Sequence, residues 1–170
     1  APHGVREKLV LAQESATLCP PVFSQFAISD YLENSDWRGQ IRVFRDMYRV
    51  RRDTMLATLE REMPEGCSWT RPAGGFFVWV TLPEGLDASA MLPRGVNARV
   101  AFVPGPAFFA DGQGSRNVRL SYCFPPPDRI AMGVERFAQV VRGELEILKT
   151  FGMHTPSHTN PTTGPGPDLT

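Results

Sequence analysis

This sequence has very little lysine. Only Lys8 and Lys149 occur among its 18 basic residues, and the others are arginines. The 18 basic residues are balanced by 18 acidic ones, so the formal net charge is zero. A balanced chain has no global field that would attract nucleic acid or an anionic membrane surface. The composition therefore gives no reason to expect either partner.

Long apolar runs are also missing. The longest, such as Phe76–Val80, are far below the roughly 20 residues that a membrane-spanning helix requires. No basic start followed by an apolar stretch is seen at the amino end, so the sequence shows no secretory signal. It opens on Ala1-Pro2-His3-Gly4 without a methionine, and we expect it to be part of a longer protein.

Metal-binding and redox motifs are equally absent. Cys19, Cys67 and Cys123 are widely spaced and form no Cys-x-x-Cys pair, which favours reduced thiols in a cytoplasmic protein. His154 and His158 have the spacing of two metal ligands on a helix, but the intervening Pro156 argues against a helix there. We predict no metal site.

What is present is the apolar content of an ordinary globular domain, with 42% hydrophobic and 21% charged residues. Apolar residues at helical spacing predict five helices. After about Thr150 the sequence becomes rich in threonine, proline and glycine, so we predict a disordered tail over residues 151–170. The predicted helices are His3–Ala16, Val22–Glu33, Gln40–Met63, Ala88–Val96 and Pro127–Leu148.

Three segments are predicted strands: Gly75–Leu82, Val100–Pro104 and Asn117–Phe124. The first is apolar on both faces, with Phe77 and Trp79 on one side, so we expect both faces to be covered. The second and third are close in sequence and are predicted to pair antiparallel. The fold class is thus α+β, with a small, mostly antiparallel sheet of about three strands covered by helices.

The third helix is rich in arginine. Six arginines and a single acid, Asp46, lie between Arg38 and Arg52. A basic face can bind nucleic acid, but base-reading proteins also carry a recognisable motif, and none is visible. We favour a solvated face or a contact with another part of the protein, and we predict no nucleic-acid partner.

Arg119 is the unexpected residue of the third strand. Alternation puts Val118, Leu120 and Tyr122 on one face and Arg119 on the other. The pattern alone favours an exposed arginine on a wet face. The other interpretation is a guanidinium that binds a carboxylate through two parallel hydrogen bonds.

Three motifs resemble those of a known family, in the same order and at similar spacing. They are Gly74-Gly75-Phe76-Phe77, Val103-Pro-Gly-Pro-Ala-Phe108 and Val118-Arg119-Leu120-Ser121-Tyr122. From Ala1 to about Leu145, the sequence resembles the carboxy-terminal small domain of fold type I, pyridoxal-phosphate-dependent aminotransferases, in the branch that includes 2-aminoadipate aminotransferases.

This resemblance implies a role for several residues. Arg119 matches the arginine that binds the α-carboxylate of amino acid and 2-oxo acid substrates. Phe77 and Phe108 match aromatic positions near the substrate side chain, although core packing is an equally good interpretation of these two. The implied domains are a helical segment over 1–36 that links from a missing large domain, the small domain over 37–150, and the tail.

The resemblance also implies what this segment lacks. The cofactor would be pyridoxal 5′-phosphate, held in the longer protein by a lysine that neither Lys8 nor Lys149 matches. We therefore expect no catalytic and no cofactor-binding residue here, and no activity from the segment alone. The longer protein is expected to be a cytoplasmic homodimer.

Two other functions remain open. One is the ligand-sensing domain of a winged-helix transcription regulator, and the other is a folded interaction domain without catalytic function.

Overall fold

The computed structural model describes residues 2–151. Over this range the chain forms five α-helices, four short strands and one 3₁₀ helix. The helices are α1 (His3–Thr17), α2 (Val22–Asn34), α3 (Trp37–Glu62), α4 (Ala88–Asn97) and α5 (Pro127–Phe151). The strands are β1 (Ser68–Trp69), β2 (Phe77–Thr81), β3 (Val103–Pro104) and β4 (Asn117–Ser121), and the 3₁₀ helix is Gly105–Phe108.

All five predicted helices are confirmed: four begin at the predicted residue, α3 begins three residues earlier, and the carboxy-terminal ends differ by one to three residues. Helix α4 begins at Ala88, as predicted, because the carboxylate of Asp87 accepts hydrogen bonds from the amides of Ser89 and Ala90, at 2.7 and 3.0 Å. Helix α5 continues to Phe151, the first residue of the predicted tail. The rest of that tail, with His154 and His158, lies outside the described residues, so its predicted disorder stays a prediction.

The four strands form one antiparallel sheet in the order β1-β2-β4-β3. The predicted antiparallel pairing of the second and third segments is confirmed as β3 with β4. The sheet has four strands where about three were expected, because the prediction did not include β1. The second predicted strand, Val100–Pro104, was too long, since β3 begins only at Val103. The amide of Val100 instead donates a hydrogen bond to the carbonyl of Gly95 at the end of α4.

Helices pack against one face of this sheet. Alternate residues of β2 and β4 point into a shared core, which holds Val78, Val80, Val118 and Leu120. Three helices contribute buried side chains to the same core, namely Leu59 of α3, Met91 of α4 and Phe137 of α5. The fold class is therefore α+β, with a mostly helical chain around a small antiparallel sheet.

The expectation that both faces of β2 are covered is wrong for the described residues. Phe77 remains 40% exposed, whereas Val78 next to it is fully buried. The aromatic residues of β2 therefore lie on an accessible surface of the sheet, where they can take part in a site.

The chain divides into two compact units at Asp46 and Met47, within α3. The first unit contains α1, α2 and the start of α3, and neither α1 nor α2 has a buried residue. The second unit contains the sheet and its whole core. The sequence-based boundary at residue 36 stays a prediction. Within residues 2–151 no helix is long and apolar enough to cross a membrane.

Candidate functional site

Arg119 lies in the middle of the sheet. Its strand, β4, has neighbours on both sides, and Arg119 pairs with Trp79 of β2 and with Val103 of β3. The residues before and after it, Val118 and Leu120, are buried in the core. The side chain of Arg119 is therefore directed to the opposite, accessible face.

Two aromatic rings contact the guanidinium of Arg119. Its central carbon lies over the ring of Phe77, 4.1 Å from the centroid, and over the ring of Phe108 at 4.5 Å. Cation–π contacts of this kind contribute about 0.5–2 kcal/mol each. They restrain the guanidinium without using its N–H groups in conventional hydrogen bonds, so these donors stay available to a ligand.

One of these donors is buried without a partner. The Nε atom of Arg119 is inaccessible and makes no hydrogen bond within residues 2–151. No carboxylate of that range forms an ion pair with Arg119 either. An unsatisfied buried donor costs about 1–3 kcal/mol, and a carboxylate that reached Nε after a neighbouring side chain moved would remove that cost.

A close backbone approach places Phe108 in this site. Gly105 begins the 3₁₀ helix that carries Phe108, and a Cβ at Gly105 would lie 2.2 Å from the carbonyl oxygen of Gly114. Only glycine fits there without movement. Phe108 also packs edge-on against Trp79, with ring centroids 5.5 Å apart.

A second turn fixes Phe77. Gly75 adopts φ +87°, which favours glycine, and its carbonyl accepts a 2.8 Å hydrogen bond from the hydroxyl of Tyr122. Arg52 donates to the carbonyl of Ala73 at 3.0 Å. Burial raises the pKa of the Tyr122 hydroxyl, opposed by the charge of Arg52, so the hydroxyl remains a donor at neutral pH.

The structure thus brings together all three residues predicted for the site: Arg119, Phe77 and Phe108. Phe77 and Phe108 are 40% and 44% exposed, which is not the burial of core residues. Sequence reasoning did not identify the supporting residues Trp79, Arg52 and Tyr122. The signal for Tyr122 was its place on the buried face of a strand, where a hydroxyl needs a partner.

Known aminotransferases are similar to this chain in both sequence and fold. The sequence is 41% identical to aromatic-amino-acid aminotransferase 1 of Thermococcus litoralis over 145 residues, 85% of this chain and 34% of that protein. The fold is similar to the multiple substrate aminotransferase of Thermococcus profundus, with a TM-score of 0.80 and 41% identity over 86% of this chain and 36% of that one. The chain is homologous to the carboxy-terminal segment of fold type I aminotransferases.

A further relative was solved with a cofactor derivative bound. The α-aminoadipate aminotransferase LysN of Thermus thermophilus, in complex with N-(5′-phosphopyridoxyl)-L-leucine, has a TM-score of 0.77 and 38% identity. The match covers 85% of this aminotransferase segment and 37% of the LysN chain. The segment thus spans about a third of the length of the relatives it matches. No family model matches the sequence.

The matches also include a regulator. An uncharacterised HTH-type transcriptional regulator of Bacillus subtilis, YisV, is 27% identical over 141 residues, 83% of the aminotransferase segment and 29% of the regulator.

Proposed function

We propose that this chain is the carboxylate-binding part of a pyridoxal-phosphate-dependent aminotransferase, which transfers an amino group between an amino acid and a 2-oxo acid. In this proposal Arg119 binds the α-carboxylate of both substrates. Phe77 and Phe108 hold the guanidinium and border the substrate side chain. The observation that carries the proposal is the Arg119 guanidinium, restrained by two rings with its buried Nε left without an acceptor.

The geometry of the Arg119 guanidinium suits a carboxylate. A planar carboxylate can accept two parallel hydrogen bonds from the edge of a guanidinium. The rings of Phe77 and Phe108 contact Arg119, and in this proposal they reduce the number of water molecules around a bound carboxylate. Fewer competing water molecules strengthen the charge interaction with the substrate.

We propose that the described residues do not by themselves form a site for pyridoxal phosphate. In the longer protein a lysine would hold the cofactor, which would supply the chemistry of amino-group transfer. Lys8 is exposed on α1 and Lys149 is exposed in the last turn of α5, and neither helix carries a residue of the Arg119 site. We propose that the cofactor and the lysine belong to the part of the relatives' length that this chain does not span, and that the segment alone does not transaminate.

The cellular setting is part of the same proposal. We propose that the longer protein is cytoplasmic and acts as a homodimer, as the family resemblance implies. Size-exclusion chromatography with light scattering would test the dimer.

The role of Arg119 can be tested in the longer protein by the substitution Arg119→Lys. A lysine supplies a point charge in place of the two-pronged donor. We expect kcat/KM for amino acid and 2-oxo acid to fall by roughly 100-fold, equivalent to about 2.7 kcal/mol. The cofactor absorbance spectrum should not change, which separates lost substrate binding from lost folding.

Arg116→Lys is the matched control. Arg116 precedes the same strand, and within residues 2–151 its side chain makes only a long surface ion pair with Glu84, at 3.9 Å. Its replacement should leave kcat/KM within about twofold, since exposed ion pairs contribute little. Equal kcat/KM values for the Arg119→Lys variant and the unchanged enzyme would remove Arg119 from the site.

A second candidate function is the ligand-sensing domain of a transcription regulator, which the similarity to YisV supports. The higher identity to aminotransferases, 41% against 27%, favours the enzyme. The sequence that precedes this segment in its gene would distinguish them. A basic helix-turn-helix there, with DNA binding that responds to an amino acid, would favour the regulator.

A further inference from the structure

A second cavity lies apart from the Arg119 site. It has a volume of about 360 Å³ and opens at the start of α5, next to the end of β4. Arg119 does not line it. Its volume falls within the range of about 300–1,000 Å³ that is typical of small-molecule sites. Its apolar floor comes from the core, with Met55, Leu120, Ile130, Val134 and Phe137.

Two arginines, Arg99 and Arg129, line the same cavity and bring positive charge to an apolar pocket. Within residues 2–151 neither of them forms an ion pair. Arg94 of α4 and Arg142 of α5 are paired, with Glu144 and Glu62. Arg136 of α5 instead donates a 3.5 Å hydrogen bond to the carbonyl of Arg99. The cavity thus has two cationic groups whose charge no carboxylate of the described chain neutralises.

The backbone of Arg99 is also unusual. Arg99 follows α4 in a left-handed conformation, φ +58°, with its amide bonded to Val96 and the next amide bonded to Gly95. This is the Schellman ending of a helix, in which glycine usually occupies the left-handed position. An arginine there is strained, and strain of this kind often marks a functional position. The backbone thus holds a cationic side chain at the cavity where glycine would suit the turn better.

We propose that this cavity binds a small monocarboxylate with an apolar tail. The tail would lie against Leu120, Ile130 and Phe137, and the carboxylate would pair with Arg99 and Arg129. Guanidinium groups bind carboxylates through directed hydrogen bonds, and the floor offers only apolar contact to the rest of the ligand. Octanoate, in which seven carbons form the tail beyond the carboxylate, is a ligand of this class.

Gly133 gives a sharp test of the cavity. It lines the pocket from α5, and a Cβ added there meets nothing within 4 Å. Gly133→Leu should therefore fill the cavity and also favour the helix, because leucine is a better helix former than glycine. Gly143→Leu is the matched control, since Gly143 lies in the same helix with equally open space but does not line the pocket.

The probe is octanoate, with octanol as its uncharged counterpart, added to the 170-residue chain and followed by ¹H–¹⁵N NMR. We expect octanoate to shift the amides of Gly133 and Val134 and to bind at least tenfold more tightly than octanol. Gly133→Leu should weaken octanoate at least tenfold without lowering the melting temperature. Gly143→Leu should leave binding unchanged. Equal binding of octanoate by the two leucine variants would overturn the proposal.

Charge is tested separately with Arg99→Gly and Arg129→Gln. Glycine relieves the strained backbone at position 99, so the Arg99→Gly variant should fold well. Its affinity for octanoate should nevertheless be at least fivefold lower than that of the unchanged chain, whereas its affinity for octanol should not change. Parallel losses for octanoate and octanol would show that charge has no part and would contradict the proposed ligand class. Arg119→Lys should leave the octanoate-induced shifts of Gly133 and Val134 unchanged, which distinguishes binding at this cavity from any octanoate held by Arg119.

Discussion

The two units of this chain place their apolar residues differently. Helices α1 and α2 of the first unit have no buried residue, and Phe23 and Phe26 are 84% and 70% exposed. In the second unit Leu59 and Phe137 are completely buried. Helical spacing of apolar residues therefore predicts a helix correctly in both units, but only in the second does it predict a core. An exposed apolar surface like that of α1 and α2 is typical of an interaction surface.

The same substitution in both units gives the strongest test of this contrast. Leu59→Ala in α3 removes a fully buried side chain and should lower the free energy of unfolding by about 2–5 kcal/mol. Leu9→Ala in α1 truncates a side chain that is 59% exposed and should change it by less than about 0.5 kcal/mol. Urea denaturation followed by circular dichroism would measure both. A comparable loss in the Leu9→Ala variant would show that α1 contributes to the core.

A smaller effect is expected from filling space at glycines. Gly105→Ala puts a Cβ 2.2 Å from the carbonyl oxygen of Gly114 and should cost about 1–3 kcal/mol, because the chain there must move. It should also displace Phe108 from Arg119. Gly4→Ala in α1 meets nothing within 4 Å and should be neutral or stabilise by up to about 1 kcal/mol. Thermal unfolding compares them, and equal melting temperatures for the two variants would contradict the close packing at Gly105.

The sequence was sufficient to predict the elements that depend on local pattern. The five helices and the buried face of β4 follow from apolar spacing, and the motifs around Phe77, Phe108 and Arg119 indicated residues that do meet in space. Alternation also showed that Arg119 points away from Val118 and Leu120. It could not show that the two rings restrain the guanidinium, because that contact joins three separate segments.

The errors also have physical causes. Strand β1 has only two residues, too few for a periodic signal, and it exists because Ser68 and Trp69 pair with Thr81 and Val80. Val100–Phe102 has the composition of a strand, but the ending of α4 takes the amide of Val100. The second cavity is formed by side chains of α3, β4 and α5, which only tertiary structure brings together.

The smallest predicted difference concerns two cysteines and the response to pH. Burial raises the pKa of the half-buried Cys67 thiol to about 11, whereas the unfolded chain releases this proton near its usual pKa of about 8.5. The folded state therefore holds the proton more tightly, and the resulting stability is present below about pH 8.5 and is lost as the pH rises towards 11. We expect this loss of unfolding free energy to be on the order of 1 kcal/mol, after allowance for the solvent that reaches the thiol.

Urea denaturation at about pH 8 and about pH 10.5 should show a smaller loss of unfolding free energy in the Cys67→Ala variant than in the unchanged chain. Cys19→Ala, in the exposed link between α1 and α2, is the matched control, and a similar reduction there would locate the effect outside the second unit.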